Sequence, residues 1–397
     1  MTFVFPNEAN VTWTVMIVLY PFITGLVAGA FIVSSLFHVF GKSNLKAVAR
    51  YSLVSAFVFL LFAPLPLLVH LGHPERAFNI MITPNFSSAM AGFGYIYAAY
   101  LLLVLLEIWF SLRSEFIARA KGRGLTAWIC RVIMLYNLDE DESTKRADFK
   151  ITRFLAGLGI PLACLLHGYV GFLFGALKAN PWWSTPLMFV IFIFSAIVSG
   201  IAVIIFHYFV VSWINGWRVD QVCVRTLAKY LWGFMIVAVS LELLEILSLA
   251  YKQTEEWEVL RTLIDQKLFF TYIVLQFLIL SLIPFLMLGV ASLVKLKDRL
   301  AYALIWTAST MLLLQVLLMR WNVVIGGQLL SKSLRGFTNY LPGIWDREGL
   351  IVAAIIFTLP FGILYVFHRI IPLFPGAVKV RARTNRQAAD TTAGIGN

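Results

Sequence analysis

Residues 185–214 read TPLMFVIFIFSAIVSGIAVIIFHYFVVSWI and contain no Asp, Glu, Lys or Arg. A helix of about 20 apolar residues crosses the roughly 30 Å hydrocarbon core of a bilayer, so this stretch predicts a transmembrane helix. Similar stretches recur along the chain and predict an all-α polytopic membrane protein with about nine transmembrane helices. They lie near residues 12–40, 51–72, 88–112, 154–177, 185–214, 230–252, 268–294, 300–328 and 349–371.

The composition agrees with this class. Of 397 residues, 60% are hydrophobic and 13% are charged, and the mean hydropathy is +0.85. Soluble domains contain about 25% charged residues, so a soluble globular protein is excluded. The net charge of +12 would suggest nucleic-acid binding in a soluble protein, but here membrane topology explains it better. We expect a lipid membrane as partner and no nucleic acid.

The distribution of basic residues predicts the orientation. With the N-terminus outside, the cytoplasmic segments hold 23 of the 32 Lys and Arg residues, which satisfies the positive-inside rule. We therefore expect a bacterial inner (cytoplasmic) membrane protein with its C-terminus in the cytoplasm. Met1 to Asn10 show no signal-peptide pattern, so the first helix is expected to remain. The cytoplasmic segments are 41–50, 113–153, 215–229, 295–299 and the tail from Arg369.

The three cysteines argue against a metal cofactor held by this chain. Cys130, Cys164 and Cys223 lie far apart and form no Cys-x-x-Cys pattern. Ligation of an iron–sulfur cluster or of zinc is therefore not expected, and neither is any covalently bound cofactor. Electrons must be carried by another molecule.

Ionisable residues at membrane depth are costly and mark candidate functional sites. Glu242 and Glu245 are three residues apart on one face of the sixth helix, and Arg320 lies at a similar depth in the eighth. We predict a buried Glu–Arg pair. It is either a structural ion pair that fixes helix register or a proton relay in which Arg320 tunes a carboxylate. Glu107 and His38 lie near inner helix ends and are expected to snorkel.

Histidines near the outer side form a second group of candidates. His167 and Tyr169 lie in the fourth helix, and His70 and Arg76 lie at the end of the second. A quinone needs an apolar slot with donors that exchange protons at its carbonyls, and His with Tyr meets that need. Two alternatives remain for His167. It could simply be bonded to a backbone carbonyl, or the pairs His38/His207 and His70/His167 could ligate b-haems.

Three groups of motifs resemble the NrfD/PsrC family of polysulfide-reductase-like membrane subunits. The first is Leu71-Gly72-His73-Pro74-Glu75-Arg76 with the segment 84–90, PNFSSAM. The second is His167-Gly168 with the segment 181–187, PWWSTPL, and Ser195-Ala196. The third is Arg320-Trp321-Asn322 with Gln328. Together these motifs span most of the chain.

The resemblance implies a quinone-binding anchor that holds no redox centre of its own. Its expected quinone is menaquinone. Its expected partners are a ferredoxin-like iron–sulfur subunit on the outer (periplasmic) face and further molybdopterin or multihaem cytochrome subunits. The implied fold is two four-helix bundles plus an extra helix. The corresponding division is 1–11 as an outer segment, 12–177 as the first bundle including linker 113–153, 185–328 as the second bundle, 349–371 as an additional helix and 372–397 as a cytoplasmic tail.

We therefore predict a quinone-binding membrane subunit of a respiratory oxidoreductase, with possible proton translocation. His167, Tyr169, His70, Arg76 and Trp182 are predicted to shape an outer quinone pocket. A proton pathway from the cytoplasmic side is predicted to use Glu242, Glu245, Arg320 and His207. The alternatives are a secondary transporter, which the absence of matched broken helices disfavours, and a subunit that carries b-haem.

Overall fold

The computed structural model describes residues 11–85, 87–253, 255–334 and 336–374. Within these residues, nine helices are long and apolar enough to cross a membrane. This result confirms the prediction of an all-α chain with nine spanning helices. The helices are α1 (Val15–His38), α2 (Ser43–His70), α3 (Ala89–Ser111), α4 (Glu142–Gly175), α5 (Leu187–Asn215), α6 (Gln221–Lys252), α7 (Glu256–Leu293), α8 (Asp298–Gln328) and α9 (Leu350–Ile370).

Polar capping residues set the starts of several helices. The Asp141 carboxylate accepts a hydrogen bond from the Thr144 amide (2.8 Å), and the Asp220 carboxylate accepts one from the Val222 amide (2.9 Å). Consequently α4 begins 12 residues before the predicted 154, and α6 begins 9 residues before 230. Hydropathy marks only the apolar part of a helix, so their polar first turns were missed.

The spanning helices form two groups of four. In the first ring, α1 packs on α2 and α4, and α3 packs on the same two helices. In the second ring, α5 packs on α6 and α8, and α7 packs on the same two. Helix α9 lies outside both rings, against α2 and α1. The residue limits of the predicted domains stay a prediction, and within them residues 1–10 and 375–397 lie outside the described part of the chain.

A glycine contact joins the two rings. A Cβ atom added to Gly200 of α5 would lie 2.2 Å from the Cα atom of Gly29 in α1. Real Cβ atoms essentially never approach this closely, so the two backbones are in direct contact. This contact brings α4, α5 and α8 near enough to share the polar side chains described below.

We call the two ends of the bundle the basic end, which carries linkers 41–50, 113–153, 215–229 and 295–299, and the opposite end, which carries Trp13, Trp182 and Trp183. At the basic end, linker 113–153 contains the helices Arg113–Ala120 and Leu125–Ile133. The second exposes large apolar side chains. These are Leu125, Trp128, Ile129, Val132 and Ile133.

Candidate functional site

A cleft opens within the second ring, beside the segment that carries Trp182. Its polar wall contains Glu242 and Glu245 of α6 and Gln276 of α7. The space inside it is narrow, about 30 Å³. Small-molecule sites are usually apolar clefts with a few convergent polar groups, so this cleft has the lining of a ligand site, and a larger ligand enters it only when its walls move apart. Its remaining walls are Trp182, Tyr272, Met188, Ile191, Ile246, Leu249, Met319 and Val323.

A chain of hydrogen bonds leads from the cleft into the protein. The amide nitrogen of Gln276 donates to Oε2 of Glu242 (2.8 Å), and the amide nitrogen of Asn322 donates to Oε1 of Gln276 (2.8 Å). All three side chains are at least 96% buried. Gln276 lies where Ile264–Leu282 is wound as a π-helix, a geometry often found at functional sites. The chain therefore fixes Glu242 at one wall of the cleft.

Arg320 is fully buried and connects three helices. Its Nη2 atom lies 2.9 Å from Nε2 of His167 in α4 and donates to Oγ of Ser195 in α5 (2.6 Å). Its guanidinium carbon lies 3.7 Å from the centre of the Phe192 ring, a cation–π contact. Among the described residues, no carboxylate lies within 4.0 Å of the Arg320 guanidinium.

The predicted buried Glu–Arg pair is therefore wrong. Successive helical residues are about 100° apart, so Arg320 and Asn322 point to nearly opposite sides of α8. Arg320 faces α4 and α5, whereas Asn322 faces Gln276 and, through it, Glu242. The depth of these residues was predicted correctly, but their pairing depends on the rotation of α8.

His167 contacts a side chain through Nε2 and not a backbone carbonyl, and its buried Nδ1 atom has no hydrogen-bond partner among the described residues. Besides its contact with Arg320, its ring stacks on Phe192 with 5.7 Å between centroids. Gly25 of α1 leaves room for the ring, since a Cβ atom there would lie 3.3 Å from Cε1 of His167. His167 thus supports Arg320 at the seam between the rings.

The five residues predicted to shape the quinone pocket do not surround one cavity. The Tyr169 hydroxyl donates to the carbonyl of Ala89 in α3 (2.6 Å). Arg76 is exposed, and His70 contacts the loop after α8. Of the five, only Trp182 lines the cleft, and its indole nitrogen donates to the Asn322 carbonyl (3.0 Å). Tyr169 and His167, two residues apart in α4, face different neighbours, so sequence proximity was a poor guide to a shared pocket.

His70 belongs to a polar junction at the opposite end. Its Nδ1 atom lies 2.7 Å from Oε2 of Glu348, which also accepts a hydrogen bond from the hydroxyl of Thr14, the residue that caps α1 (2.5 Å). Burial raises the pKa of Glu348, but hydrogen bonds from Thr14 and His70 and the charge of Arg347 outweigh it and hold the pKa below its usual value. The junction ties α1, α2 and the start of α9 together.

His207 lies apart from the predicted proton pathway. It packs between Tyr51 and Phe361, at centroid distances of 6.1 Å and 4.7 Å. Along α5 it is 12 residues from Ser195, or about 18 Å at 1.5 Å per residue. His207 therefore has no direct contact with the Arg320 cluster.

Three residues of these sites were not predicted as site residues. Gln276, Tyr272 and Glu348 line the cleft or complete the junction. Gln276 carried a usable signal, because an amide within an apolar span is costly unless it is hydrogen-bonded. Glu348 carried none, since it is 278 residues from its partner His70.

The haem alternative gains no support from the histidine geometry. Nε2 of His167 contacts Arg320 and Nδ1 of His70 contacts Glu348, so both rings are oriented by partners on different elements. In the part of the chain that the structure describes, no group of three or more His, Cys, Asp or Glu residues could hold a metal ion.

The fold and the buried polar chain define a multi-pass all-α membrane protein with a narrow cleft that is lined like a ligand site. A family model described as "Polysulphide reductase, NrfD" matches residues 4–331. The chain belongs to the NrfD family, which confirms the resemblance seen in its motifs. Helix α9 lies beyond the matched residues.

Curated relatives agree with this family. A selenate reductase subunit of Mesobacillus selenatarsenatis is 34% identical over 203 residues, which cover 50% of this chain and 48% of that protein. The Hdr-like menaquinol oxidoreductase integral membrane subunit of Archaeoglobus fulgidus is 24% identical over 57% of this chain and 49% of its own length. Protein NrfD of Escherichia coli is 28% identical over 49% and 58%. The aligned region spans about half the length of these curated relatives.

Proposed function

We propose that the chain is the quinone-binding membrane subunit of a multi-subunit respiratory oxidoreductase. In this role it exchanges electrons between a menaquinone pool and an iron–sulfur partner. The observation that carries the proposal is the cleft, in which two carboxylates at membrane depth face apolar walls. The name of the Archaeoglobus relative, a menaquinol oxidoreductase subunit, supports the choice of quinone.

The lining of the cleft fits a quinone head group. Trp182, Tyr272, Met319 and Val323 offer apolar surfaces for a flat ring, and Glu242 and Glu245 can give or accept protons at its oxygens. A bound quinol supplies electrons together with protons. The hydrogen bond from Gln276 holds Glu242 in place, so a proton is handled at a defined oxygen.

This placement changes the role of the residues predicted to form the pocket. Trp182 remains at the quinone site. His167 does not line the cleft and affects it only through its contact with Arg320 of α8. Tyr169 and His70 fix the surrounding helices and loops, whereas Arg76 is exposed. In the proton pathway, Glu245 and Glu242 exchange protons, Arg320 supplies a positive charge deeper in the seam, and His207 lies toward the basic end.

The basic linkers at one end of the bundle and the tryptophans at the other support an orientation in the membrane and a side for the partner. We propose that the basic end faces the cytoplasm of a bacterium, in agreement with the positive-inside rule. The opposite end then faces the periplasm and binds a ferredoxin-like iron–sulfur subunit near Trp182. A molybdopterin or multihaem cytochrome subunit would complete the complex. The names of relatives that are reductase subunits support this assembly.

The test is purification of the tagged chain from its native membrane, followed by reconstitution into liposomes. We expect an iron–sulfur protein to co-purify and quinol oxidation to generate a membrane potential. Glu245→Gln should abolish the potential while quinone still binds, and Glu258→Gln, an exposed glutamate, should leave it unchanged. Normal turnover with an unchanged potential in Glu245→Gln would exclude the proton pathway. A chain purified alone and unable to oxidise quinol would exclude the quinone-subunit proposal.

A further inference from the structure

The first ring contains a buried carboxylate that the proposed quinone site does not use. Glu107 of α3 is fully buried, and neither of its side-chain oxygens has a hydrogen-bond partner among the described residues. The expectation that Glu107 snorkels to the surface is therefore wrong. A carboxyl group without any partner is costly at this depth, so its surroundings must supply one.

Other polar atoms on the same helices share this condition. The hydroxyls of Tyr100 in α3 and Thr152 in α4 are buried and have no partner within the described ranges. Tyr100 and Glu107 are seven residues apart, which places them on one face of α3 about 10 Å apart along its axis. Buried water molecules commonly bridge such groups, each through two to four hydrogen bonds.

An ion pair relates the positions of Glu107 and Thr152 to the basic end. Nη1 of Arg113 lies 3.4 Å from Oδ1 of Asp148, which connects the end of α3 to the start of α4. From that pair, Glu107 is six residues into α3 and Thr152 is four residues into α4, or roughly 9 Å and 6 Å along the helices. The side chains of Arg113 and Asp148 are 13% and 11% exposed, whereas Glu107 is fully buried, so the pair marks the side on which this group lies nearest to the surface.

An aromatic ring packs beside Tyr100, the member of α3 that lies farther from the basic end than Glu107. The Phe31 ring lies edge-on to the Tyr100 ring, with 5.5 Å between centroids. Phe31 also fills the space beside Gly159 of α4, where a Cβ atom would lie 2.2 Å from its ring. The Phe31 ring therefore fills the space between Tyr100 of α3 and Gly159 of α4.

We propose that Glu107, Thr152 and Tyr100 bind water in a pocket that is open only toward the basic end, and that Glu107 takes up protons there. A bound water gives one proton to a carboxylate oxygen and receives another from the bulk solvent at the basic end, so the water is unchanged and no electron moves. Arg113 and Asp148 are the charged groups at the entrance. The site lies in the other ring from the cleft, so it does not depend on quinone chemistry.

Infrared spectroscopy of the purified full-length protein in its native complex tests the pocket. The carbonyl band of a protonated carboxyl group should be present in the wild type and in Glu142→Gln, an exposed glutamate near the same end, and absent in Glu107→Gln. The band should shift within minutes of transfer to D2O. A band that shifts only after unfolding, or spectra that do not differ between wild type and Glu107→Gln at any pH, would overturn the proposal.

A second variant keeps Glu107 in place. Thr152→Val removes one hydroxyl of the proposed water site without changing side-chain size much. It should slow the exchange of the Glu107 band about tenfold, the loss expected for one hydrogen bond to water. Exchange at the wild-type rate would contradict the assignment of Thr152 to the pocket. Because neither readout involves quinol oxidation, failure of the quinone proposal would be recognised separately.

Discussion

The buried carboxylate of each ring, Glu242 in the second and Glu107 in the first, is held in a different way. In the second ring, Glu242 is hydrogen-bonded to Gln276, and Gln276 to Asn322. In the first ring, Glu107 and Tyr100 have no partner among the described residues. A connected chain holds its members in one geometry, whereas an unconnected carboxyl group must obtain its partner from water. The difference indicates a fixed reaction site in the second ring and a proton-exchanging site in the first.

The largest effect is expected at the contact that holds the rings together. Gly200→Ala should reduce the free energy of unfolding by about 3 kcal/mol, because the added Cβ atom would overlap the backbone of α1 at Gly29. The measurement is denaturation of the purified protein in mixed micelles. Gly233→Ala is the matched control, since nothing lies within 4 Å of its Cβ position. Equal stability of the two variants would show that the rings do not depend on this contact.

The next effect concerns the arginine that bridges the rings. Arg320→Leu leaves Nε2 of His167 without a partner and removes one of the two hydrogen bonds of Ser195, which keeps its bond to the Phe192 carbonyl, so it should cost about 2–3 kcal/mol. In a double-mutant cycle with His167→Leu, the two changes should couple by about 1.5 kcal/mol, because each removes the same contact. Arg299→Leu, at an exposed position, serves as the control. Additive costs in the cycle would mean that the Arg320–His167 contact contributes nothing.

The third-largest loss of stability is expected in the hydrogen-bonded chain of Glu242, Gln276 and Asn322. Gln276→Met, at similar volume, removes the partner of Glu242 and one of the two acceptors of the Asn322 amide, and it should cost about 2 kcal/mol. Ile279→Met, on an exposed face of the same helix, should have no effect. Stability and quinol oxidation are measured on both variants. A Gln276→Met protein with wild-type stability would remove the distinction drawn between the rings.

The junction at the opposite end should depend on pH. Glu348→Gln should cost about 1 kcal/mol at neutral pH, because it weakens the contacts with His70 and Thr14. The pKa of Glu348 is lowered in the folded protein, so its contribution is complete above the ordinary value of 4.5 and is lost as the pH falls through the lower folded value. Stability curves of wild type and variant should converge in acid. Glu75→Gln, in an exposed pair with His73, should show no difference at any pH.

The smallest effect is expected in the first ring. Tyr100→Phe removes a hydroxyl that has no protein partner within the described ranges and should cost about 0.5 kcal/mol, the lower limit for one hydrogen bond to water. The same denaturation measurement applies. A loss as large as that of Gln276→Met would show that Tyr100 is bound within the protein, and the contrast between the rings would fail.

The sequence was sufficient for the helices and their approximate depth. Apolar length alone predicts nine spans, because each must cross the same hydrocarbon core. The starts of α4 and α6 were missed, since Asp141 and Asp220 cap polar turns that hydropathy does not detect. The family was also predictable, because its motifs are local.

The pairing of side chains could not be predicted in the same way. Depth placed Arg320 beside Glu242, but the rotation of α8 directs the guanidinium to His167 and Ser195. Likewise, His70 and Glu348 meet only because the loop after α8 returns over the end of α2. Such contacts depend on helix rotation and loop paths, which one sequence does not encode in any local pattern.

Photolabelling with an azido-quinone tests the central claim most directly. The labelled protein is digested and the modified residues are identified by mass spectrometry. The cleft predicts adducts on its lining residues Trp182, Tyr272 and Met319, and their loss when excess unmodified quinone competes. Adducts confined to the first ring, near Tyr169 or His70, would contradict the placement of the quinone in the second ring.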